Sequence, residues 1–155
     1  MSEQGGVGTI TIDRRERFNA MDVQTAQAFR KAGLQFARDD TVRCVVIAGT
    51  GAAHDSDKNQ YLMRAFYAAG FHVVGITSPT YPTFVIAAST SMVPGEQRGD
   101  AEDIYTVMQK IWAEIGPHIQ ATSFNLTGYS LGGTNAAFVA KLDEDRKVFN
   151  FRKVL

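Results

Sequence analysis

The sequence is poor in the features that most directly declare a function. It has one cysteine, Cys44, which excludes an internal disulfide and any zinc site built from several thiolates. It has no excess of charge, because 16 basic residues meet 16 acidic ones. A surface that neutralises a run of phosphates is normally basic, so no nucleic-acid partner is expected. No apolar run approaches the roughly 18 to 20 residues that span a bilayer, so no membrane partner is expected either. The opening Met1-Ser2-Glu3-Gln4 lacks the basic and apolar blocks of a secretion signal, which gives a cytoplasmic expectation. There is no G-x-G-x-x-G and no lysine-terminated phosphate loop. The three histidines, His54, His72 and His118, show no metal-ligand spacing. Neither a cofactor nor a metal is expected.

What is present suits one folded unit. The chain has 155 residues, of which 45% are apolar, enough for the core of a single domain over residues 1–155. Strand-like and helix-like stretches alternate. Val7 to Ile12 alternates like a strand. Asp22 is a plausible cap for a helix over Val23 to Arg38, in which Ala26, Phe29, Gly33 and Phe36 recur at spacings of 3 and 4. Val42 to Ala48 is almost unbroken apolar sequence, as in a buried parallel strand. Tyr61, Leu62, Ala65, Phe66 and Ala69 line a second helix that Gly70 stops, and Phe71 to Ile76 reads as a strand. Thr83 to Ala88 reads as a short strand or helix. Asp100 reads as the cap of a third helix carrying Ile104, Val107, Met108, Ile111 and Ile115 on one face. Ala121 to Thr127 reads as a strand, followed by a helix to about Asp143 and a strand beginning within Val148 to Leu155. This rhythm predicts an α/β fold: a three-layer, mainly parallel sheet of about five strands with helices on both faces. The strand at Val42 is expected between those at Phe71 and Ala121; the sequence leaves the place of the strand at Val7 open, the edge beside Phe71 being one site for it. An exposed edge strand in such a sheet invites a homodimer.

Two segments carry family resemblances. The first is built from Gly8-Thr9-Ile10-Thr11-Ile12-Asp13-Arg14, Arg17-Phe18-Asn19-Ala20-Met21-Asp22 and Asp39-Asp40-Thr41-Val42-Arg43. Over residues ~6–51 it resembles the N-terminal unit of the crotonase (enoyl-CoA hydratase/isomerase) family. Where that family supplies its oxyanion amides, this chain reads Ala52-Ala53-His54-Asp55-Ser56. The second is Gly128-Tyr129-Ser130-Leu131-Gly132 between an apolar strand and an alanine-rich helix. It is a G-x-S-x-G elbow in strand–turn–helix context, and residues ~51–155 resemble the central part of an α/β-hydrolase. That resemblance implies a truncated α/β-hydrolase-like sheet with Ser130 as nucleophile. It also implies the N–H groups of Leu131 and Ala52 as oxyanion donors. His54 is a candidate base, because its loop would open on the same sheet edge as Ser130.

The two pieces meet at Gly49-Thr50-Gly51, where both families end a buried strand. Together they imply a recombined chimera whose property is folding, with no evolved biochemical function. Hydrolases of this kind order their triad as serine, acid, histidine. Here Asp143, Glu144 and Asp145 follow Ser130 on the elbow helix, and no histidine follows it. Ser130 is therefore expected to be a vestigial nucleophile. Two alternatives stand beside the inert chimera. One is a weak residual serine esterase using Ser130. The other is a coenzyme A thioester binder, in which Arg14, Arg15 and Arg17 would meet the phosphates.

Overall fold

The computed structural model describes residues 2–4, 7–9, 44–48, 56–119 and 121–155, the first three stretches through their backbone alone. In chain order the elements are β1 (Ser2–Gln4), β2 (Val7–Thr9), β3 (Cys44–Ala48), α1 (Asp57–Ala68) and β4 (His72–Ile76). They continue with α2 (Pro82–Ala88), α3 (Gln97–Ile115), a 3₁₀ turn at Gly116–His118, β5 (Phe124–Gly128), α4 (Leu131–Arg146) and β6 (Lys153–Val154). The expected helix over Val23 to Arg38, its cap Asp22 and the residues Ile10 to Ile12 lie outside the described residues.

Local chemistry sets the element ends. Ser56 caps α1, its Oγ accepting from the Asn59 N–H at 3.3 Å. The chain leaves α1 through Gly70 at φ 91°, a conformation that costs a side-chain-free residue nothing. Pro82 stands in the first turn of α2, where its missing N–H costs no bond, and this decides the stretch Thr83 to Ala88 in favour of helix. The cap of α3 is Glu96 and not Asp100. The Glu96 carboxylate accepts from the N–H groups of Gly99 (2.5 Å) and Arg98 (3.1 Å). These two donors, Gly99 above all, hold its carboxyl below the usual carboxylate range. Asp100 and Asp103 are buried and face back to the preceding loop. They accept from the N–H groups of Gly95 at 2.9 Å and Thr90 at 3.0 Å. The acidic run at the start of α3 thus fastens the irregular segment before it.

The three-layer α/β fold with a five-stranded sheet is not what forms. Helix outweighs strand, and α3 alone has 19 residues. The sheet is small: order β4-β3-β5-β6, parallel throughout, with β6 only two residues long. The strand at Val7 does not join its edge beside β4. Val7–Thr9 pairs antiparallel with Ser2–Gln4 as a separate ribbon, and β2 contacts β6 at the opposite edge. Of the alternating stretch Val7 to Ile12, the described part Val7–Thr9 is strand. The alternation carried no information on which strand would be its neighbour.

The main core is a contact between α3, α4 and the sheet. Ile104, Tyr105 and Met108 of α3 meet Ala136 and Val139 of α4 over Ile76 and Leu126. At its centre Asp143, buried near the end of α4, accepts three hydrogen bonds. Tyr105 Oη donates to Oδ1 at 2.6 Å, the Phe149 N–H donates to Oδ1 at 2.9 Å, and the Phe151 N–H donates to Oδ2 at 3.3 Å. The carboxylate thereby joins α3, α4 and the C-terminal segment. Burial and the neighbouring carboxylate push the Tyr105 hydroxyl well above its ordinary value of about 10. Aromatic rings extend the joint: Phe149 packs edge-on against Tyr105 and Phe124, and Phe124 against Trp112.

Tyr105→Phe removes one donor to a charged acceptor and is expected to cost about 1.5–3 kcal/mol. Asp143→Ala leaves two buried donors and one half-buried donor unpaired and is expected to cost more, about 3 kcal/mol or above. Urea unfolding at neutral pH measures both. The raised hydroxyl also gives a sign at high pH. The folded chain keeps the Tyr105 proton after the unfolded chain has lost it, so stability is intact below about pH 10 and falls above it. The same pH series on Tyr105→Phe is expected to lack this component.

Candidate nucleophile corner

The sheet register brings one edge together. Ala48 pairs with both Ile76 and Gly128, so β4, β3 and β5 end level. Just beyond Gly128 the chain turns from β5 into α4, and Ser130 is the residue at the turn. Its backbone lies at φ 55°, ψ −130°, close to the first central position of a type II′ turn at about 60°, −120°, where glycine dominates. A serine held there stores strain of about 1–3 kcal/mol. The side chain is exposed and makes no capping bond to its own helix. Leu131 opens α4, so its N–H has no intrahelical acceptor and points out of the helix start. The carbonyl of Ser130 is engaged by the Gly133 N–H at 3.0 Å, which secures the turn.

The flanking glycines are needed by contact. A Cβ on Gly128 would overlap the carbonyl carbon and oxygen of Gly132 and stand 2.7 Å from the Gly133 nitrogen. A Cβ on Gly133 would stand 3.3 Å from the Gly128 oxygen. The end of β5 and the first turn of α4 therefore approach backbone to backbone, which is what lets the corner be so tight.

Among the described residues, the groups that could activate Ser130 are elsewhere. His72 begins β4 and lies level with Phe124 through Cys44. The rise from Phe124 to Gly128 is about 13 Å, so His72 is exposed at the far edge of the sheet. His118 is exposed in the 3₁₀ turn that follows α3. The last turns of α3 meet the start of β5, Trp112 packing on Phe124 at 4.7 Å between centroids, so His118 is also at the far edge. Asp143 is 13 residues along α4 from Ser130, about 20 Å, and its oxygens are taken by the three donors above. Glu144 pairs with Lys141 at 2.6 Å. Of the candidates drawn from the sequence, Ser130 and Leu131 sit together at the corner. Ala52 and His54 lie outside the described residues, as do Arg14, Arg15 and Arg17.

Two residues beside the corner went unremarked in the sequence. Thr127 on β5 and Asn135 on α4 are each 1% exposed and bury side-chain polar atoms that find no hydrogen-bond partner among the described residues. Such groups are rare in native interiors. The signal available was a threonine and an asparagine at positions of an apolar strand and an alanine-rich helix that face inward. Among the described residues no group of histidine, cysteine, aspartate or glutamate could hold a metal ion. No helix there is long and apolar enough to cross a membrane. Comparison with known proteins finds no matching family model, curated protein or solved structure.

The strain at Ser130 gives the corner a measurable signature. Ser130→Gly is expected to raise stability by about 1 kcal/mol, because glycine adopts this conformation without penalty. Gly128→Ala is expected to lower it by about 2–3 kcal/mol through overpacking of the corner. Thermal melts of the two variants beside the parent chain test both signs at once.

Proposed function

We propose that the chain is a recombined chimera of a crotonase-like and a hydrolase-like segment with no evolved activity. Within it Ser130 is a slow acyl acceptor toward strongly activated esters. One observation carries this reading. Ser130 is exposed at the turn with φ 55°, ψ −130°, beside the Leu131 N–H that opens α4, and strained positions of this kind recur at functional sites. Its partners limit the rate. A nucleophilic hydroxyl needs a neighbouring base to take its proton, and both described histidines lie at the opposite sheet edge. Without general-base help the expected loss is about 10²- to 10⁴-fold. The Leu131 N–H remains at the corner as a donor to a developing oxyanion. On the same reading the protein works in the cytoplasm and binds no nucleic acid, its 16 basic residues being matched by 16 acidic ones.

A fluorophosphonate probe is expected to label the chain slowly at neutral pH, over hours, and Ser130→Ala is expected to abolish the label. Turnover of p-nitrophenyl acetate should follow the same dependence. Rapid stoichiometric labelling would mean that a base reaches Ser130 and the site is a working hydrolase. Labelling that persists in Ser130→Ala would remove the serine from the chemistry altogether.

The edge strand supports a second reading, of partners. The outer side of β4 pairs with no other described strand, and the strand holds Val73, Val74 and Gly75 with neither proline nor lysine to block pairing. Antiparallel pairing of β4 with a second copy would give a two-fold homodimer. Light scattering across a concentration series is expected to show a dimer that His72→Lys weakens. A monomer at every concentration would defeat the idea.

A further inference from the structure

A groove of about 440 Å³ opens where the end of β4 meets α2 and α3. It is separate from the Ser130 corner, which contributes none of its walls. Its floor is apolar. Ile76 and Phe84 are buried at 3% and 6% exposure, and the half-buried Val107 and Ile111 pack onto the same core. Thr106 and Lys110 stand exposed on its rim, one turn apart on α3. Two facts bear on what would fill it. Among the described residues no carboxylate side chain lines the groove. Lys110 makes no ion pair or hydrogen bond among the described residues. An uncompensated ammonium beside an apolar floor is complementary to a ligand with one anionic group and an alkyl body. The volume falls in the range of small-molecule sites, roughly 300–1,000 Å³. The groove lies at the carboxyl end of β4, the outer strand of the parallel sheet.

We propose that this groove binds a medium-chain alkyl carboxylate, its chain on Ile76, Phe84, Val107 and Ile111 and its carboxylate at Lys110. One cation favours a monoanion over a phosphate ester, whose second charge would find no partner. The α3 wall from Thr106 to Ile111 is about 8 Å long, which matches a chain of roughly six to eight carbons.

Calorimetric titration of the full chain with octanoate, 1-octanol and octylammonium tests this. Octanoate is expected to bind more tightly than either of the others. Lys110→Met is expected to weaken octanoate at least fivefold and leave 1-octanol unchanged. Ala87→Trp, at an exposed position of the lining, is expected to weaken octanoate and octanol alike by filling the groove. Ser130→Ala is expected to leave all three titrations unaltered, so the result stands apart from the serine chemistry. Thermal melts establish that each variant folds. The proposal is overturned if octanoate fails to bind, if it binds no better than octylammonium, or if either groove variant leaves its affinity unchanged.

Discussion

Asp143 is the residue on which the rest of the described structure depends. It is a carboxylate at 3% exposure and would be costly to bury alone. Three donors from three places make it tolerable: the Tyr105 hydroxyl on α3 and the Phe149 and Phe151 N–H groups of the C-terminal segment. Each donor is also buried or half-buried, so none can return to water without moving an element. The joint therefore fixes α4 against α3 and brings the last residues back over both. With the tail so placed, Arg152 N–H reaches the Phe124 carbonyl at 2.8 Å, and β6 runs beside β5 although it is only two residues long. The exposed bridge from Arg146 to Glu102 spans the same two helices at 2.7 Å. Exposed pairs of this kind contribute about 0–1 kcal/mol. Arg146 adds a contact over the Tyr105 ring at 5.3 Å. Both are reinforcements of a joint that the buried carboxylate makes.

The same placement accounts for what the acids following Ser130 do. A triad acid must orient a base within hydrogen-bond reach of the serine. Asp143 lies at the other end of α4 and has its oxygens occupied by structural donors. Glu144 and Asp145 point to solvent one residue later. The helix that presents Ser130 at its start is anchored at its end by the residue nearest in sequence to a catalytic acid. Anchoring and catalysis therefore draw on one short stretch, and the geometry has assigned it to anchoring.

Local order was legible in the sequence, and assembly was not. Gly70 as a helix stop, the helical face running from Ile104 to Met108 and the turn at Gly128 to Gly133 depend on side chains within a few residues of one another. Their effect on φ, ψ and capping needs no knowledge of the fold. Asp100 is the better capping residue by type, yet Glu96 takes the place, its longer carboxylate reaching the Arg98 and Gly99 N–H groups. The loop donors Gly95 and Thr90 draw Asp100 and Asp103 away, and those are contacts that no helical period displays. The sheet was overestimated for a related reason. Val7 to Thr9 has strand composition, but a strand's neighbour is chosen by long-range packing and register. The local partner Ser2 to Gln4 closes a loop of few residues and so carries a small entropy cost. At the corner, G-x-S-x-G disclosed the turn and nothing of the chemistry around it. Chemistry needs groups from other elements at the same sheet edge, and the positions of His72 and His118 became interpretable only through the register of β3 with β4 and β5.

The corner's geometry has a physical reason. Strain at Ser130 is one unfavourable term against several favourable ones that share its geometry. The tight turn lets Gly128 and Gly132 meet backbone to backbone, and that approach sets α4 close enough to the sheet for Ala136 and Val139 to reach Leu126. A relaxed φ at Ser130 would lift the start of α4 and open that contact. Burying aliphatic area contributes roughly 25 cal/mol per Å², so losing even part of two side-chain contacts matches a strain of about 1–3 kcal/mol. The helix is held from the other end by Asp143, which leaves little freedom to tilt instead of strain. The conformation at Ser130 is thus set by packing along the whole of α4, and it would survive replacement of the serine itself. A strained serine in this fold is evidence of how tightly a helix lies on its strand. Reactivity is a separate property, decided by what else the sheet edge brings to the hydroxyl.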